Sequence, residues 1–271
     1  MLKKESIIEK LKTEYKDIKL HLHDVIDSTN IEAKRLAENG VPHGTSIFAD
    51  MQTQGRGRLG RSFFSPEQTG IYMTILLEAK TDLAQTILMT TAASVAVSRA
   101  IKNVCGIESQ IKWVNDIYIN EKKVCGILAE AVNDAKTGLI SHIALGIGIN
   151  MFAPKEGFPE DLKDKAGVLL AEVLGADGES YKREDLAAEL INQVLEIYEH
   201  IESREFMQEY KERSMVIGKN VDVVKHYQVD IDQAKKAKAK VLNIDEDGGL
   251  VVAYEDGTTE ILNTGEISIR W

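Results

Sequence analysis

The chain has 271 residues, 44% of them hydrophobic, and a formal net charge of −10 from 33 basic and 43 acidic side chains. This length suits one large domain or one domain with a small module, and the apolar fraction supplies a real core. The acidic balance argues against general nucleic-acid affinity, which needs a broad cationic surface.

Cys105 and Cys125 are too few and too far apart for a disulfide framework or a metal-binding pattern. The charged start Met1-Leu-Lys-Lys-Glu5 has no signal-peptide apolar run, and no apolar stretch reaches membrane-spanning length. A cytoplasmic protein without membrane contact is expected.

Ile7, Ile8 and Leu11 mark a short amphipathic helix within residues 3–14. Leu20, Leu22 and Val25-Ile26 suggest a strand, followed by a helical pattern that stops at Asn39-Gly40. Thr29 with Glu32 three residues on has the form of a capping box. Hydroxyls and amides at Ser28, Thr29 and Asn30 are equally suited to a polar ligand head. Thr45–Ala49 and Gly70–Leu77 read as strands on either side of a loop, and Leu83–Val104 as a helix packed on a sheet.

Gln110–Ile119 reads as two strand pieces joined at Asn115-Asp116, with Lys112 and Val114 on one face and Trp113 on the other. A turn at Glu121-Lys122, a strand from Lys123 to Glu130, a turn near Asp134–Gly138 and a strand Leu139–Asn150 complete an antiparallel run. Gly126, Gly146 and Gly148 sit inside strands, where glycine marks a bulge or a ligand against the backbone. Residues 151–166 form a loop, and residues 183–212 two helices. Five short strands follow Gly218: Asn220–Lys225, Lys238–Ile244, Leu250–Tyr254, Thr259–Leu262 and Ile267–Arg270. Their turns at Asp247-Gly-Gly249 and Asp256-Gly257 suit a small SH3-like barrel. The expected fold is α+β, a mixed and largely antiparallel sheet with packed helices over residues 1–217, and the SH3-like domain over 218–271.

The densest chemistry lies in Gln52-Thr-Gln-Gly-Arg-Gly-Arg-Leu-Gly-Arg61, which gathers Arg56, Arg58 and Arg61 with three glycines. Glycine permits close backbone approach and arginine supplies permanently charged forked donors, so the loop is suited to closing over an anion. Its Gly-x-Gly-x-x-Gly spacing matches the dinucleotide fingerprint, but polar residues precede it and no amphipathic helix follows. Lys112-Trp-Val-Asn-Asp116 and the strand-opening Lys123 add a second cationic and polar cluster. No Ser/His/Asp or Cys/His arrangement emerges, and His21 and His23 share a strand face. Arginines, lysines and amides without a nucleophile suit the positioning and neutralisation of phosphate.

Asp27-Ser-Thr-Asn30, Gly55–Arg61, Lys112–Asp116, Lys123–Glu130 and Gly146-Ile-Gly-Ile-Asn150 occur in the order and spacing of biotin–protein ligases, and Gly265–Arg270 resembles that family's closing strand. The resemblance spans roughly residues 20–270. It implies a class II synthetase-like ligase core, with biotin and ATP as substrates and Mg²⁺ as companion ion. Biotin and ATP would yield biotinyl-5′-AMP, and a lysine of a biotin carboxyl carrier domain would then take the biotin. By the same resemblance Ser28, Thr29, Asn30, Gln52, Arg56, Gly57, Arg58, Lys123 and Gly126 would hold biotin. Arg56, Arg58, Arg61, Trp113, Asn115, Asp116, Lys123 and Asn150 would hold ATP or the adenylate. Lys123, Arg58 and Asp116 are the expected catalytic groups, and no side chain is assigned as a dedicated metal ligand.

Two departures from the family pattern stand out. Val114 replaces a usual proline, and Phe63 a common tryptophan. Only 27 residues precede Ser28, too few for the helix-turn-helix domain of bifunctional relatives, so a monofunctional ligase without DNA binding is expected, with a homodimer among the possible assemblies. The rival readings are a lipoate–protein ligase, whose Arg-Arg-x-x-Gly-Gly-Gly signature is not present, and a non-enzymatic nucleic-acid-binding module, which the charge balance opposes.

Overall fold

The computed structural model describes residues 2–79, 85–134, 136–171, 183–224, 236–263 and 266–269. The expected helix start at Leu83, the strand end at Lys225, and Gly265 and Arg270 of the tail lie outside these residues.

The first helix, α1 (Lys4–Lys10), buries Ile7 and leads to strand β1 (Leu20–Ile26). Helix α2 (Thr29–Ala37) follows, then β2 (Ser46–Gln52), β3 (Gly70–Glu78) and the long α3 (Gln85–Cys105). Two short strands, β4 (Gln110–Lys112) and β5 (Asp116–Ile119), precede the long hairpin of β6 (Lys122–Asn133) and β7 (Ile140–Asn150). Helices α4 (Arg183–Glu199) and α5 (Phe206–Glu212) come next. The chain then forms β8 (Asn220–Val224), β9 (Lys236–Ile244), β10 (Leu250–Tyr254), β11 (Thr259–Leu262) and β12 (Glu266–Ile269).

Seven strands make one sheet in the order β1-β2-β3-β7-β6-β5-β4, parallel only between β1 and β2. The other five make an antiparallel sheet, β11-β10-β9-β8-β12. This is the expected mixed α+β core with a small SH3-like module.

Side chains alternate across the large sheet, and that alternation decides what each face does. Phe48, Ile75, Leu77, Ile143 and Leu145 point into the main core with α3 and α4. The alternate residues Ile47, Leu76, Ala144 and Val132 form a smaller cluster with Ala33 of α2. Helix α3 is apolar around most of its circumference, with Ala92, Val95, Ala96, Val97, Ala100 and Ile101 all buried, as a helix held between a sheet and another helix must be. Each fully buried Ile or Leu of this core is worth about 1.5–3 kcal/mol. By contrast α2, of nine residues, covers only part of its face. The remainder of that face is where the pocket forms.

Four local expectations need correction. Strand β2 does not stop at Ala49 but runs through Asp50-Met51-Gln52, so a buried strand does precede the arginine loop. The dinucleotide fingerprint fails because β3, not a helix, follows. The tight turn falls at Asn120-Glu121, both with positive φ (47° and 61°), and Lys122 already belongs to β6. The cap of α2 is Ser28 without a side-chain hydrogen bond, so Thr29-x-x-Glu32 is no capping box. Strand β4 ends at Lys112, and Trp113 and Val114 both turn inward, 5% exposed each, instead of alternating.

Candidate active site

Three rows of paired residues cross the sheet here, and the first two give Gly148, Gly126, Asp116, Gly146 and Leu128 to the pocket floor. Tyr72, Gly148, Gly126 and Asp116 lie side by side across β3, β7, β6 and β5. Thr74, Gly146 and Leu128 form the next row, and Leu76, Ala144 and Glu130 the one beneath α2. The glycines do make room, as expected, but in this structure protein side chains occupy the space. A Cβ on Gly148 would stand 2.6 Å from the Phe63 ring, and one on Gly146 would stand 2.2 Å from Asn30 Oδ1. Phe63 therefore lies on the bare backbone of β7 and meets Tyr72 edge-on at 6.3 Å.

At one end the start of α2 presents Ser28, Thr29 and Asn30, all less than 5% exposed. The Gln52 side-chain oxygen accepts from the Thr29 backbone N–H at 2.9 Å and lies 3.1 Å from its hydroxyl, while its amide donates to Ser65 Oγ at 2.9 Å. Thr74 Oγ1, fully buried, lies 2.6 Å from Asn30 Oδ1 and 2.9 Å from Thr29 Oγ1. These side chains are held by one another before any ligand arrives, which limits the entropy lost on binding. A Gly146→Ala chain must expel Asn30 from this network. We expect a loss of about 1–3 kcal/mol, the usual range for overpacking, read as a lower urea midpoint. Adding Asn30→Ala should recover part of it.

At the other end Lys123 Nζ lies 2.6 Å from Asp116 Oδ1, over Gly126. Backbone pairing with the following loop fixes Lys123: its N–H donates to Lys165 O at 2.9 Å and its carbonyl accepts from Gly167 N at 2.8 Å. Asn115 accepts from Arg58 Nη1 at 3.1 Å and donates to Ile127 O at 2.8 Å. Trp113 borders the pocket and spends its indole N–H on Gly248 O at 2.8 Å, joining the site to the β9–β10 turn.

Between the ends lies the arginine loop. Gly57 N–H donates to Arg61 O at 2.7 Å and Phe63 N–H to Gly55 O at 2.8 Å, so the loop is a small hairpin, with Leu59 left-handed at φ 59°. Arg56 Nη2 reaches Glu130 Oε1 at 3.2 Å. The pocket is lined by Ser28, Thr29, Asn30, Gln52, Arg56, Gly57, Arg58, Arg61, Trp113, Asn115, Asp116, Lys123 and Gly126. All of the expected site residues but Asn150 are thus brought together. Asn150 ends β7 with its amide donating to Gly167 O at 3.2 Å, outside the lining. The loop 151–166 contributes no lining residue either.

Other lining or supporting residues carried no clear signal in the sequence. Thr74 stood out only as a hydroxyl in the apolar run Ile71–Leu77. Ile267 enters from the small sheet, a placement no local pattern encodes. Glu130 was visible as the charge ending an apolar strand segment. Its burial opposes the charged form, but hydrogen bonds from Lys34 and Asn30 and the charges of Lys34 and Arg56 outweigh this and hold it below the usual carboxylate range.

Residues 22–150 match the Biotin/lipoate A/B protein ligase family, and residues 229–270 match the Biotin protein ligase C terminal domain. The bifunctional ligase/repressor BirA of Bacillus subtilis is 43% identical over 156 residues, 58% of this chain and 47% of that protein. This chain thus spans about half of that relative's length. BirA of Escherichia coli is 28% identical over 250 residues, covering 91% of this chain and 72% of that one. Among solved structures, biotin protein ligase from Aquifex aeolicus in complex with biotin and ATP superposes with a TM-score of 0.75 at 29% identity, over 93% of this chain and 98% of that one. The two domain matches and the shared fold converge: the chain carries a Biotin/lipoate A/B protein ligase family domain and a Biotin protein ligase C terminal domain, in a fold similar to that of biotin protein ligases.

Proposed function

We propose that this protein is an ATP-dependent biotin–protein ligase. The observation that carries the reading is one pocket with a polar, pre-ordered end at Ser28-Thr29-Gln52 and a cationic end at Lys123 and Arg58. Biotin has a matching polarity, a polar ureido head and a carboxylate tail. In the first step a carboxylate oxygen of biotin bonds to the α-phosphorus of ATP, and the bond to the bridging oxygen breaks to release pyrophosphate. In the second, a carrier lysine amine attacks the acyl carbon, AMP leaves, the amide forms and the amine sheds its proton.

The chain's own groups do the positioning. Two anions must meet before they react, and Lys123 and Arg58 offset their repulsion, each charge-assisted contact contributing about 1.5–3 kcal/mol. Arg56, Gly57 and Arg61 close the lid over the tail and phosphates, which keeps water from the anhydride. Asn115, Asp116 and Trp113, which line the pocket, would hold the nucleotide.

Among the described residues no three His, Cys, Asp or Glu side chains converge on a metal position. Mg²⁺ typically binds through one or two carboxylates plus phosphates, and Asp116 is the carboxylate lining this pocket. The ion thus fits as one carried with the triphosphate, supplying charge neutralisation, with Asp116 as its protein ligand.

On this reading residues 1–217 make the adenylate and residues 218–271 form an SH3-like module, a division supported by the two separate sheets. The acceptor is a biotin carboxyl carrier domain. Among the described residues no helix is long and apolar enough to cross a membrane, which accords with work in the cytoplasm.

The test is ATP-dependent transfer of labelled biotin to a carrier domain, with pyrophosphate exchange followed separately for biotin and for lipoate. Exchange with lipoate alone would overturn the assignment. A variant sharpens it. Arg58→Gly removes the Asn115 contact and a lid charge, and should release biotinyl-5′-AMP roughly tenfold faster, the factor for a loss of about 1.4 kcal/mol. Filter-retention of the adenylate measures this, and a wild-type lifetime would show that Arg58 is no part of a lid.

A further inference from the structure

Glu130 does not line the pocket, yet it touches two elements that frame it. Its position in the row with Leu76 and Ala144 places it on the pocket face of the sheet, under α2. Three donors converge on its carboxylate: Asn30 Nδ2 at 2.8 Å, Lys34 Nζ at 2.9 Å and, from the lid, Arg56 Nη2 at 3.2 Å. One negative charge therefore faces two cations on different elements.

We propose that Glu130 is a positioning residue that holds the lid down at its Arg56 end, and so sets how long the reaction intermediate is retained. The retention half rests on the ligase reading; the lid contact does not. Two of the lid's ties to the body of the protein are Arg56 on Glu130 and Arg58 on Asn115, at opposite ends of the pocket. The second tie goes to a neutral amide and the first to a charge. Glu130 is also the more sheltered partner, with its side chain 17% exposed against 45% for Arg56, so solvent screens this pair less than an open surface pair.

Lys34 provides the internal control. It shares Oε1 of Glu130 with Arg56, so two like charges sit beside one acceptor. Removing Lys34 leaves the carboxylate to Arg56 alone and should tighten the lid. Neutralising Glu130 leaves Arg56 and Lys34 facing each other unscreened, and the lid end should lift. A residue that merely stabilised α2 would instead respond to both changes in the same direction.

The experiment is limited trypsin digestion of the ligand-free protein, following cleavage at the lid arginines Arg56, Arg58 and Arg61. Glu130→Gln should be cut about fivefold faster than wild type, the factor at the low end for losing one such interaction. Lys34→Met should be cut no faster. Arg56→Gln, which leaves Glu130 its Asn30 and Lys34 partners, should be cut at Arg58 and Arg61 as fast as Glu130→Gln, and so serves if that variant folds poorly. Cleavage of Glu130→Gln and Arg56→Gln at the wild-type rate overturns the proposal, as does equal acceleration by Lys34→Met.

For retention, Glu130→Gln loaded with biotin and ATP should lose its adenylate about fivefold faster while the KM for ATP holds, the same population factor acting on the closed lid. Unchanged loss beside faster proteolysis would overturn that half. Should wild-type protein form no adenylate from biotin and ATP, the ligase reading falls, and proteolysis still judges the lid contact.

Discussion

Lys123→Ala is expected to lower biotinyl-5′-AMP formation by about 10²- to 10⁴-fold, from two charge-assisted contacts of about 1.5–3 kcal/mol each acting on the barrier. The geometry supports so large an effect. Lys123 is held by backbone hydrogen bonds on both sides of its peptide unit, and its amine is drawn over Gly126 by Asp116. It is thus poised where the carboxylate and α-phosphate would meet, and preorganised charge costs no rearrangement at the moment of reaction. The substitution also strips Asp116 of its cation, adding a negative charge where two anions must approach. Single-turnover adenylate formation at saturating biotin and ATP measures the loss. A Lys123→Ala protein within tenfold of wild type would remove Lys123 from the chemistry. Lys123→Arg separates charge from shape, because the wider guanidinium keeps the charge but must displace Phe63 from beside Gly126.

The second large effect is on stability. Asp50→Ala should destabilise the fold by about 3–5 kcal/mol, the cost of stranding one member of a buried ion pair. Arg183, at the start of α4, donates from Nη1 to Asp50 Oδ1 at 2.6 Å and from Nε to Gly70 O at 2.9 Å. Their side chains are only 11% and 5% exposed. The loss would consume a large share of the about 5–15 kcal/mol that ordinarily separates folded from unfolded chains. A urea midpoint shifted down at unchanged slope is the expected readout. Asp50→Asn, which keeps an acceptor, should lose less. Arg183 Nη2 is buried without a partner among the described residues, so the pair is incompletely satisfied. Replacing both members by apolar residues should therefore cost less than Asp50→Ala alone. Wild-type midpoints for Asp50→Ala would refute the argument. Because Asp50 and Gly70 flank the lid segment, this clamp also fixes the two points from which the lid departs.

How much of this could be read from the chain depended on the distance over which each pattern is decided. The strands Leu20–Ile26, Gly70–Glu78 and Leu250–Tyr254 follow from local alternation or apolar runs and turn glycines, and they lie where the pattern puts them. Strand β2 outruns the expected Thr45–Ala49, into the polar Asp50-Met51-Gln52. It continues because Arg183, 133 residues away, neutralises that carboxylate. Thr29 looked like a helix cap, but the acceptor that claims its N–H is Gln52 from another strand. Trp113 defied alternation because the β9–β10 turn supplies a carbonyl for its indole.

The candidate site shows the same division. Its arginines, Lys123 and the Ser28–Asn30 cluster are charged, hydroxylated or glycine-rich anomalies that a single chain displays. Thr74, Glu130 and Ile267 join them only through pairing across the sheet or from the second sheet, which sequence spacing does not contain.

The lid is tethered at both ends, between β2 and β3, and this changes what its weak contacts can accomplish. Its arginines never leave the neighbourhood of Glu130 and Asn115, so each meets its partner at an effective concentration of the order of millimolar, as for any short flexible link. At that concentration a contact with a dissociation constant near millimolar, too weak to register between dilute free molecules, is still formed about half of the time. Two such contacts on one short strap reinforce each other, since either one raises the local concentration for the other. The empty pocket then favours the closed lid by only about 1–2 kcal/mol, and an anionic occupant needs to contribute only a modest further bias to keep it shut.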